Sequence, residues 1–283
     1  MKKTLLKSYA KINISLNVLN KHEDGYHELD SVMLPLELHD SLIMEEHSRL
    51  ENYVTMDDFS LAFDNFNLIT LAIDTLAARY KFSNKYRILV HKNIPMQGGL
   101  GGGSSNAAAV MNAINKDLKL NIPYEEMVEI AAKLGADIPF FLKTVPARAR
   151  GIGEKLTPIT VKNNYHVLIV KPSQGLSTKT VFDTYDKMNI YTTNIDDVVK
   201  ALETGDDELL ASSIHNSLEE PAISLLPEIQ IVKDKLMSYG LKIVLMSGSG
   251  SCVFALSQNK AILNKIASEL EDTYLVEVTK VKK

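Results

Sequence analysis

Hydrophobic and polar residues alternate along the first part of the chain with the period of two that is typical of β-strands. The alternation over residues 4 to 20, which predicts one or two strands, is carried by Leu5, Ala10, Ile12, Ile14, Leu16 and Val18. A turn is expected at residues 23–25, and further strands are predicted over residues 29–36, 41–46 and 86–91. The first part of the chain is therefore predicted to be rich in β-structure.

Helical spacing of apolar residues begins at about residue 67 and recurs to the end of the chain. It predicts helices over residues 67–79, 124–134, 179–188, 195–203, 228–239 and 260–270, with strands at 165–171, 242–245, 252–256 and 274–278. Strands and helices mix throughout and hairpin signals come early, so the predicted fold class is α+β rather than a doubly wound parallel sheet. We expect two domains, over residues 1–160 and 161–283.

A run of glycines precedes one further predicted helix. Five glycines fall within the six positions 98–103, and Ser104 stands where it could cap a helix with an apolar face of Ala107, Val110, Met111, Ile114 and Leu118. Glycine lets the backbone turn at positive φ and bring its N–H groups close to an anion. A loop of this kind before a helix N-terminus is typical of phosphate binding.

Two common phosphate loops do not match this run. A Walker A motif requires Lys followed by Ser or Thr after its last glycine, where this chain has Ser104 and Ser105. The dinucleotide fingerprint requires Gly or Ala at the position of Ser104. A glycine-rich surface turn before a helix is the plainer alternative, but the order of strand, proline, glycines, serines and alanine-rich helix favours an anion site.

The composition narrows the possible functions. The 283 residues are 45% hydrophobic and 23% charged, which argues against disorder, and the formal charge of −4 argues against a nucleic-acid partner. A single cysteine, Cys252, fits a reducing compartment, and the seven histidines show no zinc-site spacing. Lysines interrupt the apolar N-terminal stretch before it is long enough for a signal peptide, so we expect a cytoplasmic protein without a membrane partner. Either a monomer or a homodimer is expected.

Three further segments join the glycine run in a recognisable set. They are Ala10-Lys11-Ile12-Asn13, Asp24-Gly25-Tyr26-His27-Glu28 and Met246-Ser247-Gly248-Ser249-Gly250-Ser251-Cys252. Together they resemble the three motifs of the GHMP kinases, which include galactokinase, homoserine kinase and mevalonate kinase. The Asp-Gly-Tyr-His segment and residues 135–141 are similar to the branch that phosphorylates a cytidyl diphospho-methylerythritol in the non-mevalonate route to isoprenoids.

This resemblance implies a fold and a cofactor. It implies an N-terminal ATP-binding domain with a left-handed β-α-β unit, a ferredoxin-like C-terminal domain and an active site in the cleft between them. ATP and Mg²⁺ are the implied cofactors, with Ser105 as a possible metal ligand. The implied ATP-binding residues are Asn67, Pro95, Met96, Gln97, Gly98, Gly99, Leu100, Gly101, Gly102, Gly103, Ser104 and Ser105. A helix N-cap explains Asn67 equally well.

Two residues match the catalytic pair of the family. Asp137 matches the aspartate that accepts the proton of the substrate hydroxyl, and Lys11 matches the lysine that keeps this aspartate ionised. Taken singly, Asp137 is better explained as a solvated carboxylate at a helix end, and Lys11 as a surface lysine of an edge strand. The joint match favours catalysis by a phosphotransferase.

The remaining matches concern the acceptor. Tyr26 and His27 match a cytosine-recognising pair and Phe182 an aromatic on the other face of the base, although a hairpin turn and a core aromatic are the plainer alternatives. Asn13 matches a polar substrate contact, or a buried asparagine that ties strand ends. A hairpin turn is the alternative for a second loop that is implied to close over phosphates and substrate, namely Gly248, Ser249 and Gly250.

Two other functions remain open at this level. A kinase of the same family could phosphorylate mevalonate or homoserine, neither of which has a base for Tyr26 and His27 to contact. A sensor that binds a nucleotide without catalysis would need the glycine loop but neither Lys11 nor Asp137.

Overall fold

A computed structural model describes residues 3–23, 25–56 and 67–283. Contacts divide the chain into two compact units, each built from separated segments. Unit 1 comprises Met1–Ala10, Leu38–Ile94 and Gly101–Thr144, and unit 2 comprises Lys11–Glu37, Pro95–Leu100 and Val145–Lys283. Both the first strands and the glycine run contribute residues to the two units. The predicted division into two continuous domains at residue 160 therefore stays a prediction.

The first two strands are longer than the sequence predicts. Strand β1 spans Lys3–Lys21 and strand β2 spans His27–His47, where two separate strands were expected over 29–36 and 41–46. The polar stretch between those two ranges stays in the strand because Asp40 is buried and accepts hydrogen bonds from the backbone of Asn93 and Ile94. A polar residue that finds partners does not have to end a strand.

Unit 1 packs helices beside a short parallel pair of strands. Its elements are β3 (Tyr53–Met56), α1 (Asn67–Tyr80), β4 (Lys85–His91), α2 (Gly102–Asp117), α3 (Tyr124–Leu134) and α4 (Ile138–Lys143). Strand β4 pairs in parallel with β3 and antiparallel with the end of β2, so β3, α1 and β4 form a β-α-β unit. The left hand of its crossover stays a prediction.

Two expectations in unit 1 are corrected. The N-cap of helix α2 is Gly101, three residues before the expected cap at Ser104, and it provides no side-chain cap. The helix begins at Gly102, so Ser104 lies inside its first turn. The left-handed φ of 71° at Gly101 explains why the helix begins there, since the chain turns into the helix at a glycine. Helix α4, which the sequence did not predict, follows Asp137 directly and carries Pro139 in its first turn.

Unit 2 carries the second half of the fold. Its remaining elements are β5 (Ala147–Gly151), β6 (Lys155–Pro158), β7 (His166–Lys171), α5 (Thr178–Tyr185), α6 (Ile195–Thr204), α7 (Asp207–Ser213), α8 (Glu219–Leu225), α9 (Glu228–Ser238), β8 (Ile243–Met246), β9 (Val253–Ser257), α10 (Lys260–Leu270) and β10 (Leu275–Lys280). Four of these strands form an antiparallel sheet in the order β10-β7-β9-β8, which is the ferredoxin-like arrangement. The predicted α+β class is confirmed.

The core of unit 2 lies between this sheet and its helices. Buried side chains of β7, β9 and α10 pack with Leu16 and Val18 of β1, so the N-terminal strand is part of this core. No helix in the described ranges is both long and apolar enough to cross a membrane.

The cysteine lies in this unit directly before β9. Cys252 is fully buried, and its burial raises the pKa of the thiol to about 12. Its backbone N–H donates to the carbonyl of Gly98 at 3.3 Å, and a Cβ added to Gly98 would come within 2.3 Å of the sulfur. The thiol therefore fills space directly beneath the glycine run and is kept neutral there.

We expect the stability of the protein to fall with rising pH through this thiol. The pKa of Cys252 is raised in the folded state, so its contribution is complete below the unfolded value of about 8.5 and is lost as pH rises above it. The free energy of unfolding should decline by up to about 1.4 kcal/mol per pH unit between roughly pH 8.5 and 10. Urea unfolding at several pH values measures this slope.

The Cys252→Ala variant is the matched control, because it removes the titrating group and leaves other alkaline titrations in place. Its slope over the same range should be shallower than that of the wild type. Equal slopes would show that the thiol does not contribute.

Candidate active site

The first half of the glycine run lies in unit 2 against the second serine-glycine loop. The backbone N–H groups of Ser251 and Cys252 donate to the carbonyls of Gln97 and Gly98, at 3.2 and 3.3 Å. Ser247 Oγ donates to the carbonyl of Gly99 at 3.0 Å. A Cβ at Gly99, whose φ is 74°, would lie 1.9 Å from the carbonyl oxygen of Ser247, so only glycine fits this contact.

Two predicted site residues of β1 face the same loop. Lys11 and Asn13 are both buried, and Lys11 Nζ donates to Asn13 Oδ1 at 2.6 Å. The site that a Cβ on Gly248 would occupy is 3.3 Å from each of these two atoms. The structure thus brings Lys11, Asn13 and Gly248 together within unit 2, and Lys11 is not the exposed strand lysine of the plainer alternative.

Asn13 is fixed by further hydrogen bonds, which explains why it is buried. Its Nδ2 donates to Ser31 Oγ at 2.8 Å, and Ser31 donates in turn to the carbonyl of Ser15 at 2.7 Å. Because Nδ2 of Asn13 donates to Ser31, the amide oxygen is directed at Lys11. The asparagine therefore both ties β1 to β2 and orients a buried ammonium group.

An asparagine that the sequence analysis missed holds the second loop in place. Asn216 is buried, and its Nδ2 donates to the carbonyls of Met246 and Gly248 at 2.9 and 2.8 Å. Its Oδ1 accepts from the backbone N–H of Leu218 at 2.9 Å. Ser249, at the tip of the loop, shares a 2.8 Å hydrogen bond with Thr178. No motif marked Asn216, because its partners are backbone groups distant in sequence.

The second half of the glycine run lies in unit 1 and forms the N-terminus of α2. Ser105 is buried, and its N–H donates to the carbonyl of Gly101 at 2.9 Å. A Cβ at Gly102 would lie 3.1 Å from Lys92 Nζ, so a lysine that the sequence analysis missed stands beside the start of the helix. Asp40 holds this lysine by an ion pair. The helix N-terminus carries a partial positive charge at this end of unit 1, and the charge of Lys92 beside it is offset by Asp40.

Asp137 and Asn67 also belong to unit 1. Asp137 occupies the N-cap position of α4 without capping it, since its side chain accepts no hydrogen bond from the helix backbone. Asn67 begins α1. Asn106, one position beyond Ser105, has a buried Oδ1 without a hydrogen-bond partner among the described residues.

The aromatic residues form a second cluster in unit 2. The rings of His27 and Phe182 are stacked with centroids 5.0 Å apart, and Tyr185 meets the His27 ring edge-on at 6.0 Å. Tyr26 is 56% exposed at the start of β2, while Asp24 of the same motif lies outside the described residues. Phe182 is therefore half-buried against His27 rather than a residue of the deep core.

Residues for a metal ion are few. Within the described ranges, no three His, Cys, Asp or Glu side chains lie close enough to share an ion. Mg²⁺ in kinases is held largely by phosphate oxygens and water, which requires few protein ligands.

Family models match two segments of the chain. The model described as GHMP kinases N terminal domain matches residues 67–144, and the model described as GHMP kinases C terminal matches residues 198–275. The first range contains the glycine run and Asp137, and the second contains the serine-glycine loop.

Curated relatives and solved structures agree with these models. The 4-diphosphocytidyl-2-C-methyl-D-erythritol kinase of Caldicellulosiruptor saccharolyticus is 35% identical over 94% of this chain and 92% of its own, and that of Enterococcus faecalis is 34% identical over 96% and 97%. A crystal structure of 4-(cytidine 5'-diphospho)-2C-methyl-D-erythritol kinase superposes with a TM-score of 0.81, 30% identity and complete coverage of both chains. Homoserine kinase from Cytophaga hutchinsonii shares the fold, with a TM-score of 0.76 at 18% identity.

We expect Gly101→Val to abolish nucleotide binding while the protein stays folded. A valine would place a branched side chain at a left-handed φ where N–H groups are to face phosphate. Titration calorimetry with ATP measures the affinity, and circular dichroism checks the fold.

Gly240→Val is the matched control for backbone strain. Gly240 has a similar φ of 81°, and no atom lies within 4 Å of the site of its added Cβ. This variant should lose a similar amount of stability and keep its ATP affinity. Unchanged affinity in a folded Gly101→Val protein would contradict the role of the loop as a phosphate cradle.

Proposed function

This chain belongs to the GHMP kinases, and we propose that it transfers the γ-phosphoryl group of ATP to the 2-hydroxyl of 4-diphosphocytidyl-2-C-methyl-D-erythritol. Relatives at about 35% identity over nearly the whole chain carry that substrate in their names. The structural observation that carries the choice of acceptor is the stacked pair of His27 and Phe182, since a flat base is recognised by aromatic rings and a polar edge. The activity belongs to a non-mevalonate route to isoprenoid precursors.

The glycine run supports the binding of ATP. At the start of α2 a glycine N-cap and a helix beginning with two glycines present backbone N–H groups without side chains in front of them. We propose that residues 95–105 hold the phosphates, with Asn67 approaching the adenine and with Lys92, paired with Asp40, beside the start of the helix. Mg²⁺, when bound, would neutralise the phosphate oxygens, and Ser105 is the hydroxyl in the first turn of α2 that we propose as its ligand.

Lys11 and Asp137 are proposed to carry the chemistry. Asp137 would accept the proton of the acceptor hydroxyl as that oxygen attacks the γ-phosphorus. Lys11 would stabilise the developing negative charge, and burial strengthens its effect because the surrounding dielectric is low. Its hydrogen bond to Asn13 supports this role, since an oriented ammonium group needs little reorganisation during reaction.

The acceptor residues are proposed from the aromatic cluster and the second loop. Tyr26 and Phe182 would contact the faces of the cytosine while His27 bonds its edge, and Gly248, Ser249 and Gly250 would contact the substrate from the second loop. This placement is supported by the contacts of Gly248, which lies beside Gly99, Asn13 and Lys11.

We expect Asp137→Asn to bind ATP nearly as well as the wild type while turnover falls by about two orders of magnitude or more. Loss of a general base has this scale, and the amide has the same size as the carboxylate. Steady-state kinetics and ATP calorimetry measure the two effects. Glu129→Gln on α3, an exposed residue, is the matched control and should retain full turnover. Turnover of Asp137→Asn within a few-fold of the wild type would remove Asp137 from the base role.

We expect the cytidyl acceptor to be preferred strongly over mevalonate, homoserine and galactose in a coupled ADP-release assay with ATP and Mg²⁺. A site built to bond a base edge leaves polar groups unpaired with acceptors that lack one. His27→Ala should raise KM for the acceptor far more than KM for ATP. Preference for another acceptor would reject this substrate and leave a kinase, whereas no turnover of any acceptor with tight ATP binding would favour a sensor.

A further inference from the structure

Asp186 has no part in the function proposed above, yet it is the hydrogen-bond partner of His27. It follows α5 directly, and its Oδ1 lies 2.6 Å from Nε2 of His27. Its Oδ2 accepts a hydrogen bond from Lys21 at the end of β1. The hydrogen bond from Lys21 lowers the pKa of Asp186, and the one from His27 acts in the same direction. The group that meets Nε2 is thus a carboxylate, which only accepts hydrogen bonds.

A carboxylate at Nε2 determines which nitrogen of a neutral imidazole carries the proton. Nε2 must donate to Asp186, so Nδ1 is left with a lone pair and acts as an acceptor. Among the described residues Nδ1 has no hydrogen-bond partner, so its lone pair is not used within the protein. In the neutral ring, Nδ1 is therefore a fixed acceptor that a ligand can use.

The ring around this acceptor cannot turn freely. The side chain of His27 is only 6% exposed, with Phe182 stacked on its face and Tyr185 against its edge. Tyr185 is itself held by a 3.0 Å hydrogen bond to the carbonyl of Val18. A half-turn of the ring would place a carbon atom where Nε2 now meets Asp186, and during the turn the ring would have to move against Phe182 and Tyr185.

A fixed acceptor distinguishes the two pyrimidines. Cytosine presents an amino group at C4, which donates to an acceptor, whereas uracil presents a carbonyl oxygen there and would face Nδ1 with a second lone pair. We propose that Asp186 is a positioning residue that holds His27 in the tautomer that accepts from cytosine and rejects uracil. This inference rests on the proposed function, because it assigns the basis of base selection to the same acceptor site.

Lys21 makes Asp186→Asn an informative variant. The ammonium group of Lys21 requires an acceptor, so the amide oxygen of an asparagine at position 186 would face Lys21 and its NH₂ group would face Nε2. Nε2 would then accept, and the proton of the neutral ring would move to Nδ1. The variant should present a donor where the wild type presents an acceptor, without loss of side-chain volume.

Two measurements on the full-length protein test the inference. In ¹⁵N NMR spectra, the signals of His27 are identified by their absence from the spectrum of the His27→Gln variant. These signals should show the lone pair on Nδ1 in the wild type and on Nε2 in Asp186→Asn. In kinetics, the ratio of kcat/KM for the cytidyl acceptor to that for its uridyl analogue should be roughly 100 or more in the wild type and fall at least about tenfold in Asp186→Asn, through KM rather than kcat.

Controls separate this effect from a loss of charge or of structure. Asp183→Asn removes the same charge from the exposed surface of α5 and should leave the ratio unchanged. Asp186→Glu keeps a carboxylate at this position and should retain most of the selectivity. Adding Lys21→Met to Asp186→Asn removes the ammonium group that attracts the amide oxygen. The preference of the amide for the orientation with its NH₂ group towards Nε2 should then weaken. An unchanged tautomer or an unchanged ratio in Asp186→Asn overturns the inference.

Binding of cytidine and uridine diphosphates by calorimetry makes the outcome independent of catalysis. A wild type that prefers cytidine diphosphate but phosphorylates no cytidyl acceptor contradicts the proposed function and leaves the role of Asp186 standing. Equal affinity for both diphosphates overturns the inference even where the kinase activity is confirmed.

Discussion

The arrangement of the candidate site in unit 2 depends on one close approach between two stretches of backbone. The carbonyl of Ser247 occupies the space in which any residue other than glycine at position 99 would place its Cβ. This contact, together with the hydrogen bonds from residues 247, 251 and 252 to the glycine run, joins two loops that are far apart in sequence. Because backbone atoms hold both loops, their N–H groups keep fixed directions, which a site for phosphate requires.

Lys11 lies on the strand next to these loops, and its side chain is buried. A buried ammonium group loses its hydration, and it remains charged only where hydrogen bonds and charges of its surroundings replace that hydration. Asn13 supplies one such bond, and Ser31 fixes Asn13 in turn. The alternation of β1 places residues 11 and 13 on the same face, so a single strand sets the spacing between the lysine and the amide that orients it. The burial of Lys11 and its bond to Asn13 support the role proposed for it and distinguish it from a surface lysine.

The comparison with the sequence shows which features are local. Helices 124–134 and 260–270 were predicted with their bounds, since apolar spacing and end signals lie within the elements themselves. Helix α4, strands β3, β5 and β6, and helices α7 and α8 were not predicted, because short elements are stabilised by their neighbours rather than by their own pattern. The same reason applies to Asn216 and Asp186, whose partners are distant in sequence. Motifs indicated the candidate site residues, whereas the structure adds the residues that hold them.

The groups proposed to bind phosphate and those proposed to bind the base belong to different elements, which explains how one fold can serve several acceptors. Proteins with 18% identity to this chain share its fold, so the architecture alone does not determine the substrate. Here the groups proposed for phosphate lie on glycine-rich backbone, while those proposed for the base lie at the start of β2 and on α5. Under the proposed assignment, substitutions at residues 26, 27, 182 and 186 would act on the acceptor rather than on the glycine run. Selectivity that depends on the proton of a single imidazole is sensitive to one neighbouring carboxylate, which makes the end of α5 a natural place for acceptor preference to diverge.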